Sequence, residues 1–137
     1  MKIIKKDLRN QKIVLRLEVV DDLWHLSEIV RTGDTVISKT QRRVEHDKDK
    51  KRAERADKKT FTLGVKAENI EFDRNVDRLR ISGSIVSGPD DIPTGAGHTL
   101  NLKPGMVLTI QKEVWSPADL IKVKDSAKSI RSNIMMV

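Results

Sequence analysis

Alternating apolar and polar positions predict the first strand of the chain and the helix that follows it. The segment 12–20 alternates, and its apolar side chains fall on one face: Ile13, Leu15, Leu17 and Val19. A period of two is typical of a half-buried strand. Asp21 and Asp22 predict a helix start, because an Asp side chain accepts from free backbone N–H groups and its charge suits the positive helix end. Apolar residues at helical spacing follow, and Gly33 predicts the end of the helix.

The rest of the chain predicts five more strands and a second helix. The strands are expected at 35–44, 61–72, 79–85, 99–102 and 106–113, with a bulge near Glu68–Asn69. Ser116, Pro117 and Asp119 predict the start of a helix that runs to about Lys128. Together these elements predict a mainly β fold, a small and strongly bent antiparallel barrel of about six strands with a short helix after the first strand and a C-terminal helix.

Composition favours a single cytoplasmic domain with a polyanionic partner. The chain has 137 residues, a net charge of +7 and a pI near 9.8, which favours nucleic acid as a partner. It has no cysteine, which excludes disulfides, thiolate metal sites and cysteine nucleophiles. No signal peptide and no apolar run of about 20 residues is visible, so we expect no membrane segment. Four aromatic residues and no tyrosine argue against a stacking platform for single-stranded bases.

Much of the positive charge lies between residues 39 and 59. This segment holds ten Lys or Arg residues against five Asp or Glu residues, a net +5 of the chain's +7. Residues 45–59 contain few apolar side chains and predict a mobile basic loop, with a transient helix as the alternative. The predicted RNA-binding residues are Lys39, Arg42, Arg43, Lys48, Lys50, Lys51, Arg52, Arg55, Lys58 and Lys59, together with Arg78 and Arg80 on a later strand. Phosphate neutralisation needs charge and reach, which such a loop supplies.

Several sequence blocks resemble one known family. They are Asp-Asp-Leu-Trp-His-Leu at 21–26, Gly-Asp at 33–34 with Thr-Gln-Arg-Arg-Val at 40–44, Ile-Glu-Phe-Asp at 70–73, Leu-Arg-Ile-Ser-Gly at 79–83 and His-Thr-Leu-Asn-Leu at 98–102. In this order they resemble the N-terminal domain of the Pelota family, ribosome-rescue factors related to class 1 release factors. The resemblance implies an Sm-like barrel that enters the ribosomal A site and contacts ribosomal RNA and mRNA. The implied process is recognition of stalled ribosomes in mRNA surveillance (no-go decay) and ribosome rescue.

The resemblance also implies the domain organisation and the partners. Family members are longer than this chain, so residues 1–131 are expected to be the Sm-like RNA-binding domain and 132–137 the start of a linker to further domains. The absence of a eukaryotic-style insertion favours an archaeal member. In the full-length protein the implied partners are archaeal elongation factor 1 alpha and the ABC-type recycling ATPase. We expect a monomer, and RNA binding needs no cofactor.

Two other functions stay open at this point. The family's first domain has been proposed to be a metal-dependent endoribonuclease, which would need a divalent cation and several converging carboxylates. No catalytic or metal-binding residue is assigned, because Asp21, Asp22 and Asp73 are already explained by a helix start and a turn. A ring-forming Sm protein is the second alternative, against which the basic loop and the added C-terminal helix argue. Trp24 is interpreted as a residue at the edge of the core and Trp115 as a packing residue.

Overall fold

The strands of the computed structural model form one antiparallel sheet. The structure describes residues 1–43, 58–90 and 92–135, and at 42–43, 58–59 and 128–135 it describes the backbone alone. The elements in chain order are β1 (Lys2–Asp7), β2 (Lys12–Arg16), α1 (Val20–Ile29), β3 (Thr35–Arg43), β4 (Lys58–Asp73), β5 (Arg78–Ser87), β6 (Gly97–Leu102), β7 (Val107–Gln111) and α2 (Pro117–Met135). In space the strands are ordered β1-β2-β7-β3-β4-β5-β6. Within the described residues neither helix is long and apolar enough to cross a membrane.

The mainly β fold with two helices is confirmed, whereas the barrel is not closed. Among the described strands β1 and β6 form the two edges and do not pair with each other. The sheet has seven strands rather than about six, because β1 was not predicted from the sequence. In addition, β2 ends at Arg16 instead of at residue 20, and Val19 is 46% exposed. The apolar alternation therefore continued past the end of the backbone ladder.

Strong curvature brings β3 close to β6. Nε2 of His98 on β6 lies 2.8 Å from the Thr40 hydroxyl on β3, although β4 and β5 separate these strands in the sheet. The β4–β5 register shifts between Ala67 and Asn69, which confirms the predicted bulge. A bulge bends and twists the strand that carries it. Gly83 faces this bulge, and a Cβ atom there would lie only 1.8 Å from the Lys66 carbonyl oxygen.

The inner face of the curved sheet and the apolar side of α1 form the hydrophobic core. Its fully buried side chains from the sheet include Ile13, Leu15, Leu63, Leu79, Ile81 and Leu100, and those from α1 are Leu23, Leu26 and Ile29. Burial of such a side chain stabilises the fold by about 1.5–3 kcal/mol. The core thus fixes which residues of each strand face outwards.

A buried carboxylate organises the start of α1. The Asp22 side chain accepts hydrogen bonds from the backbone N–H groups of Glu18 and Val19, at 2.7 and 3.0 Å. The N-terminal ammonium group of Met1 lies 2.7 Å from the same carboxylate, and both groups are buried. The predicted role of Asp22 at the helix start is confirmed, with the difference that it binds N–H groups just ahead of the helix.

Ser116 caps α2, as the sequence predicted. Its hydroxyl oxygen accepts a hydrogen bond from the backbone N–H of Asp119 at 3.1 Å, and Arg31 lies 3.6 Å from the Asp119 carboxylate. Burial alone would raise the pKa of Asp119, but the Ser116 hydroxyl and the positive charges of Lys112 and Arg31 lower it below its ordinary value. The helix continues to Met135, past its predicted end. Residues 132–135 of the predicted linker are therefore helical, because no residue there interrupts the helix.

Candidate nucleic-acid interface

Cationic side chains from four strands, β1 to β4, lie on the outer face of the sheet. Residues directly opposite each other in a ladder share a face, and the ladder sets Lys12, Gln111, Thr35 and Lys66 in one row. Lys2 lies directly opposite Arg16 on the same outer face. Lys39 is opposite Thr62 and is exposed, so the predicted residue at this position does lie on this surface. We call Lys2, Lys12, Arg16, Lys39 and Lys66 the cationic face.

Most of this charge has no compensating partner among the side chains that the structure describes. Among the described side chains, Lys2, Arg16, Lys39 and Lys66 make no ion pair or hydrogen bond. Lys12 lies opposite Asp7, whose pKa is lowered chiefly by a hydrogen bond from the Asn10 side chain and further by nearby lysines. Like charges directly opposite on neighbouring strands are destabilising. The Lys2–Arg16 pair therefore lowers the stability of the free protein, and a bound polyanion would offset this repulsion.

The end of the β3–β4 hairpin repeats this arrangement in its backbone register. Arg42 lies directly opposite Lys59, and Arg43 directly opposite Lys58. Two further pairs of cationic positions thus occupy the last two steps of the ladder. Lys58 and Lys59 begin β4, so the predicted loop 45–59 is wrong at its C-terminal end, where pairing with β3 extends the strand.

The other predicted residues fall into two groups. Lys48, Lys50, Lys51, Arg52 and Arg55 lie outside the described residues, so their role in RNA binding stays a prediction. Arg80 is half exposed and lies 3.8 Å from Glu71, its cross-strand neighbour. The Arg78 guanidinium donates to the carbonyl oxygens of Val76 and Asp77 in the adjoining turn. These two arginines thus have partners within the protein, whereas Lys39 has none among the described side chains.

Four members of the cationic face were not predicted from the sequence: Lys2, Lys12, Arg16 and Lys66. A usable signal was present, since residues 1–16 hold six Lys or Arg residues and one Asp. This density of positive charge in the sequence does not show that the side chains lie on one surface. Only the pairing of β1 with β2, of β2 with β7 and of β3 with β4 brings these positions together.

The carboxylates considered for metal-dependent chemistry are not grouped. Within residues 1–43, 58–90 and 92–135 no three His, Cys, Asp or Glu side chains are placed to hold a metal ion. Asp22 binds the N-terminal ammonium, Asp34 pairs with Lys112, and the Asp73 side chain accepts the N–H of Asn75. These described side chains do not fit a divalent metal.

Comparison with known proteins identifies the family. The model of the Pelota N-terminal domain matches residues 1–127. The chain is 44% identical over 137 residues to a protein pelota homolog of Methanococcus aeolicus, covering 100% of the chain and 39% of that relative. It is 48% identical over 118 residues to the homolog of Methanobrevibacter smithii, covering 85% of the chain and 33% of the relative. The chain therefore spans between a third and two fifths of the length of these relatives.

Solved structures have the same fold. Archaeoglobus fulgidus Pelota superposes with a TM-score of 0.69 at 34% identity, covering 94% of this chain and 33% of that one. A model of ribosome-bound archaeal Pelota with ABCE1 gives a TM-score of 0.72 at 34% identity, covering 91% of this chain and 35% of that one. Saccharomyces cerevisiae Dom34, at 22% identity and a TM-score of 0.71, shares the fold over 93% of this chain and 33% of its own length. From the family model, the archaeal relatives and the fold together, this chain belongs to the Pelota N-terminal domain family.

Proposed function

We propose that this domain binds ribosomal RNA and mRNA through the cationic face and the end of the β3–β4 hairpin. The observation that carries the proposal is the set of directly opposed cationic positions: Lys2 with Arg16, Arg42 with Lys59, and Arg43 with Lys58. Like charges directly opposite on neighbouring strands are destabilising, and bound phosphates would turn this repulsion into affinity. The exposed Lys39 lies on β3 between these two regions.

In the full-length protein this contact would serve recognition of stalled ribosomes in mRNA surveillance (no-go decay) and ribosome rescue. Support comes from the archaeal relative described as ribosome-bound Pelota with ABCE1, which is 34% identical to this chain. We propose that the domain works as a monomer in the cytoplasm. Its proposed partners in the longer protein are the ABC-type recycling ATPase and elongation factor 1 alpha, and RNA binding needs no cofactor. An Sm-like mode of RNA contact is part of the same proposal.

A salt titration tests the electrostatic contact. The test variant is the triple change Lys2→Gln, Arg16→Gln and Lys39→Gln. The control variant removes three other exposed charges by Lys103→Gln, Lys122→Gln and Lys124→Gln, so that both variants have the same net charge. Binding of a fluorescent ribosomal-RNA fragment is measured by anisotropy between 50 and 200 mM salt, and thermal unfolding verifies that each variant is folded.

The two variants should separate in the slope of affinity against salt. Each lost phosphate contact reduces the log–log slope by about 0.7, so three lost contacts reduce it by about 2. Over a fourfold rise in salt, the wild type would then lose roughly 15-fold more affinity than the test variant. The control should keep the wild-type slope, because Lys122 and Lys124 lie on α2 and Lys103 in the turn after β6, outside the cationic face. Equal slopes in the test and control variants would overturn the proposal.

A further inference from the structure

An aromatic cleft lies between the first turns of α1 and the end of the β4–β5 hairpin. Its volume is about 360 Å³, and it is lined by Val20, Asp21, Trp24, Phe72, Arg74 and Asp77. The Trp24 indole is 45% exposed, and its ring centroid lies 6.0 Å from that of Phe72 at an interplanar angle of 57°. Contact with Phe72 holds the indole in place and leaves much of it open to solvent.

Two exposed apolar residues adjoin the lining of this cleft in the sequence. Val19 and Val76 are 46% and 48% exposed, and each lies beside lining residues in the sequence. An exposed tryptophan among exposed valines, bordered by charged groups, is typical of a binding surface. The predicted position of Trp24 at the edge of the core is compatible with this arrangement, but the exposed fraction leaves room for a ligand.

Three charged side chains border the indole without satisfying one another. The Arg74 guanidinium carbon lies over the Trp24 ring, 6.0 Å from its centroid, so a base that stacks on this face moves the guanidinium toward its own edge. Among the described residues the side chains of Asp21, Arg74 and Asp77 make no hydrogen bond or ion pair. Two carboxylates disfavour a phosphate, and the guanidinium disfavours a basic side chain. A flat, neutral ligand with both donors and acceptors fits this combination best.

Among the RNA bases, guanine matches these groups most completely. Its O6 and N7 are adjacent acceptors suited to an arginine fork, and N1–H and the N2 amino group are adjacent donors suited to a carboxylate. Unstacked bases in RNA commonly stack on an aromatic side chain and are bound through their edges. A single exposed indole suffices for one base, so the scarcity of aromatic residues argues against a platform but not against a pocket for one base.

We infer that the cleft binds one unstacked guanine base of the RNA, stacked on Trp24, with Arg74 on the acceptor edge and Asp21 or Asp77 on the donor edge. This inference rests on the proposed function, because RNA bound to the domain would bring the base to the cleft. It assigns recognition of a base to a surface other than the cationic face.

The probes are three heptaribonucleotides, UUUGUUU, UUUAUUU and UUUUUUU. Titration is followed by the indole N–H resonances in nitrogen–proton NMR spectra. Trp115 supplies an internal reference, because its indole N–H donates to the Gln11 carbonyl oxygen at 2.8 Å and its side chain is buried. We expect the Trp24 resonance to shift and UUUGUUU to bind roughly tenfold more tightly than UUUAUUU.

Variants of the cleft separate stacking from edge recognition. Trp24→Ala should lower binding of UUUGUUU by roughly fivefold or more, and Trp24→Phe should restore part of it. The pair Asp21→Asn and Asp77→Asn should remove the preference for guanine over adenine. Its control, Asp90→Asn with Glu113→Gln, changes the net charge equally at exposed acids elsewhere and should keep the preference.

The outcomes distinguish the inference from the proposed function. Equal binding of all three heptamers would overturn the guanine pocket and leave RNA binding intact. A guanine preference that survives the Asp21 and Asp77 changes would also overturn it. Weakening of all three heptamers by the cationic-face variant, with the guanine preference retained, would support two separate surfaces. Failure of the wild type to bind any RNA would overturn the proposed function itself.

Discussion

Lys112 connects three elements of the fold through one buried ammonium group. The residue is 4% exposed and follows directly after β7. Its ammonium donates to the Ile29 carbonyl oxygen at the end of α1, at 2.7 Å, and to the Asp34 carboxylate just before β3. Asp34 also accepts the backbone N–H of Arg31 at 2.8 Å. The position of β3, which carries Lys39, therefore depends on this group.

Replacement by methionine keeps much of the volume and removes the charge. Lys112→Met leaves the Asp34 carboxylate, only 13% exposed, without its cation and the Ile29 carbonyl without this donor. Loss of one partner of a buried ion pair typically costs about 3–5 kcal/mol. Asp34 keeps the Arg31 N–H and some solvent contact, so we expect the lower end, about 3 kcal/mol. That is a large part of the stability of about 5–15 kcal/mol usual for a domain.

Urea unfolding at neutral pH measures the change in the free energy of unfolding. Lys122→Met, at an exposed position, is the matched control and should change it by less than about 0.5 kcal/mol. Adding Asp34→Asn to Lys112→Met should recover about 1 kcal/mol or more, because the unpaired charge is then removed. A loss below about 1 kcal/mol in Lys112→Met, or no recovery in the double variant, would refute this reasoning.

Two further changes test the bulge and the start of α2. Gly83→Ala should lower the free energy of unfolding by about 3 kcal/mol or more, because the new Cβ would lie 1.8 Å from the Lys66 carbonyl oxygen. Gly97→Ala is the control and should be tolerated, because no atom lies within 4 Å of its Cβ position. Equal melting temperatures of the two variants would contradict this. The pKa of Asp119 is below its ordinary 3.8, so its ionised form stabilises the fold above that pH and this stability is lost as the pH falls further. Asp119→Asn should flatten the acid limb of a stability-against-pH curve, and Asp125→Asn, at an exposed position of the same helix, should leave it as steep as in the wild type.

The sequence predicted best those strands in which one face is buried and the other exposed. In β5, Leu79, Ile81 and Ile85 are buried, and the period of two follows directly from this packing. The irregularity in β4 was visible for the same reason, since the apolar face changes at the bulge. β1 was missed because Ile3 and Ile4 are adjacent among lysines, and the register shift between Ile3 and Lys5 breaks its alternation.

The candidate surfaces depend on contacts that no local pattern contains. Lys112 is an isolated lysine in the sequence, and its burial follows only when α1, β3 and β7 meet. Lys2 and Arg16 become one surface through the β1–β2 register. Trp24 and Arg74 are 50 residues apart, and their approach depends on packing of α1 near the β4–β5 hairpin.

If both proposals hold, the two surfaces would divide the tasks of RNA recognition by their chemistry. The cationic face offers charge at exposed strand positions and no aromatic ring, so it suits phosphates and carries no information about sequence. The Trp24 cleft has two carboxylates against one guanidinium, so it adds little to attraction for a polyanion and depends on stacking and on the edges of a base. Counterion release acts through phosphate contacts, so rising salt should weaken the first surface far more than the second. Affinity and base preference would then vary independently, because each depends on a different part of the fold.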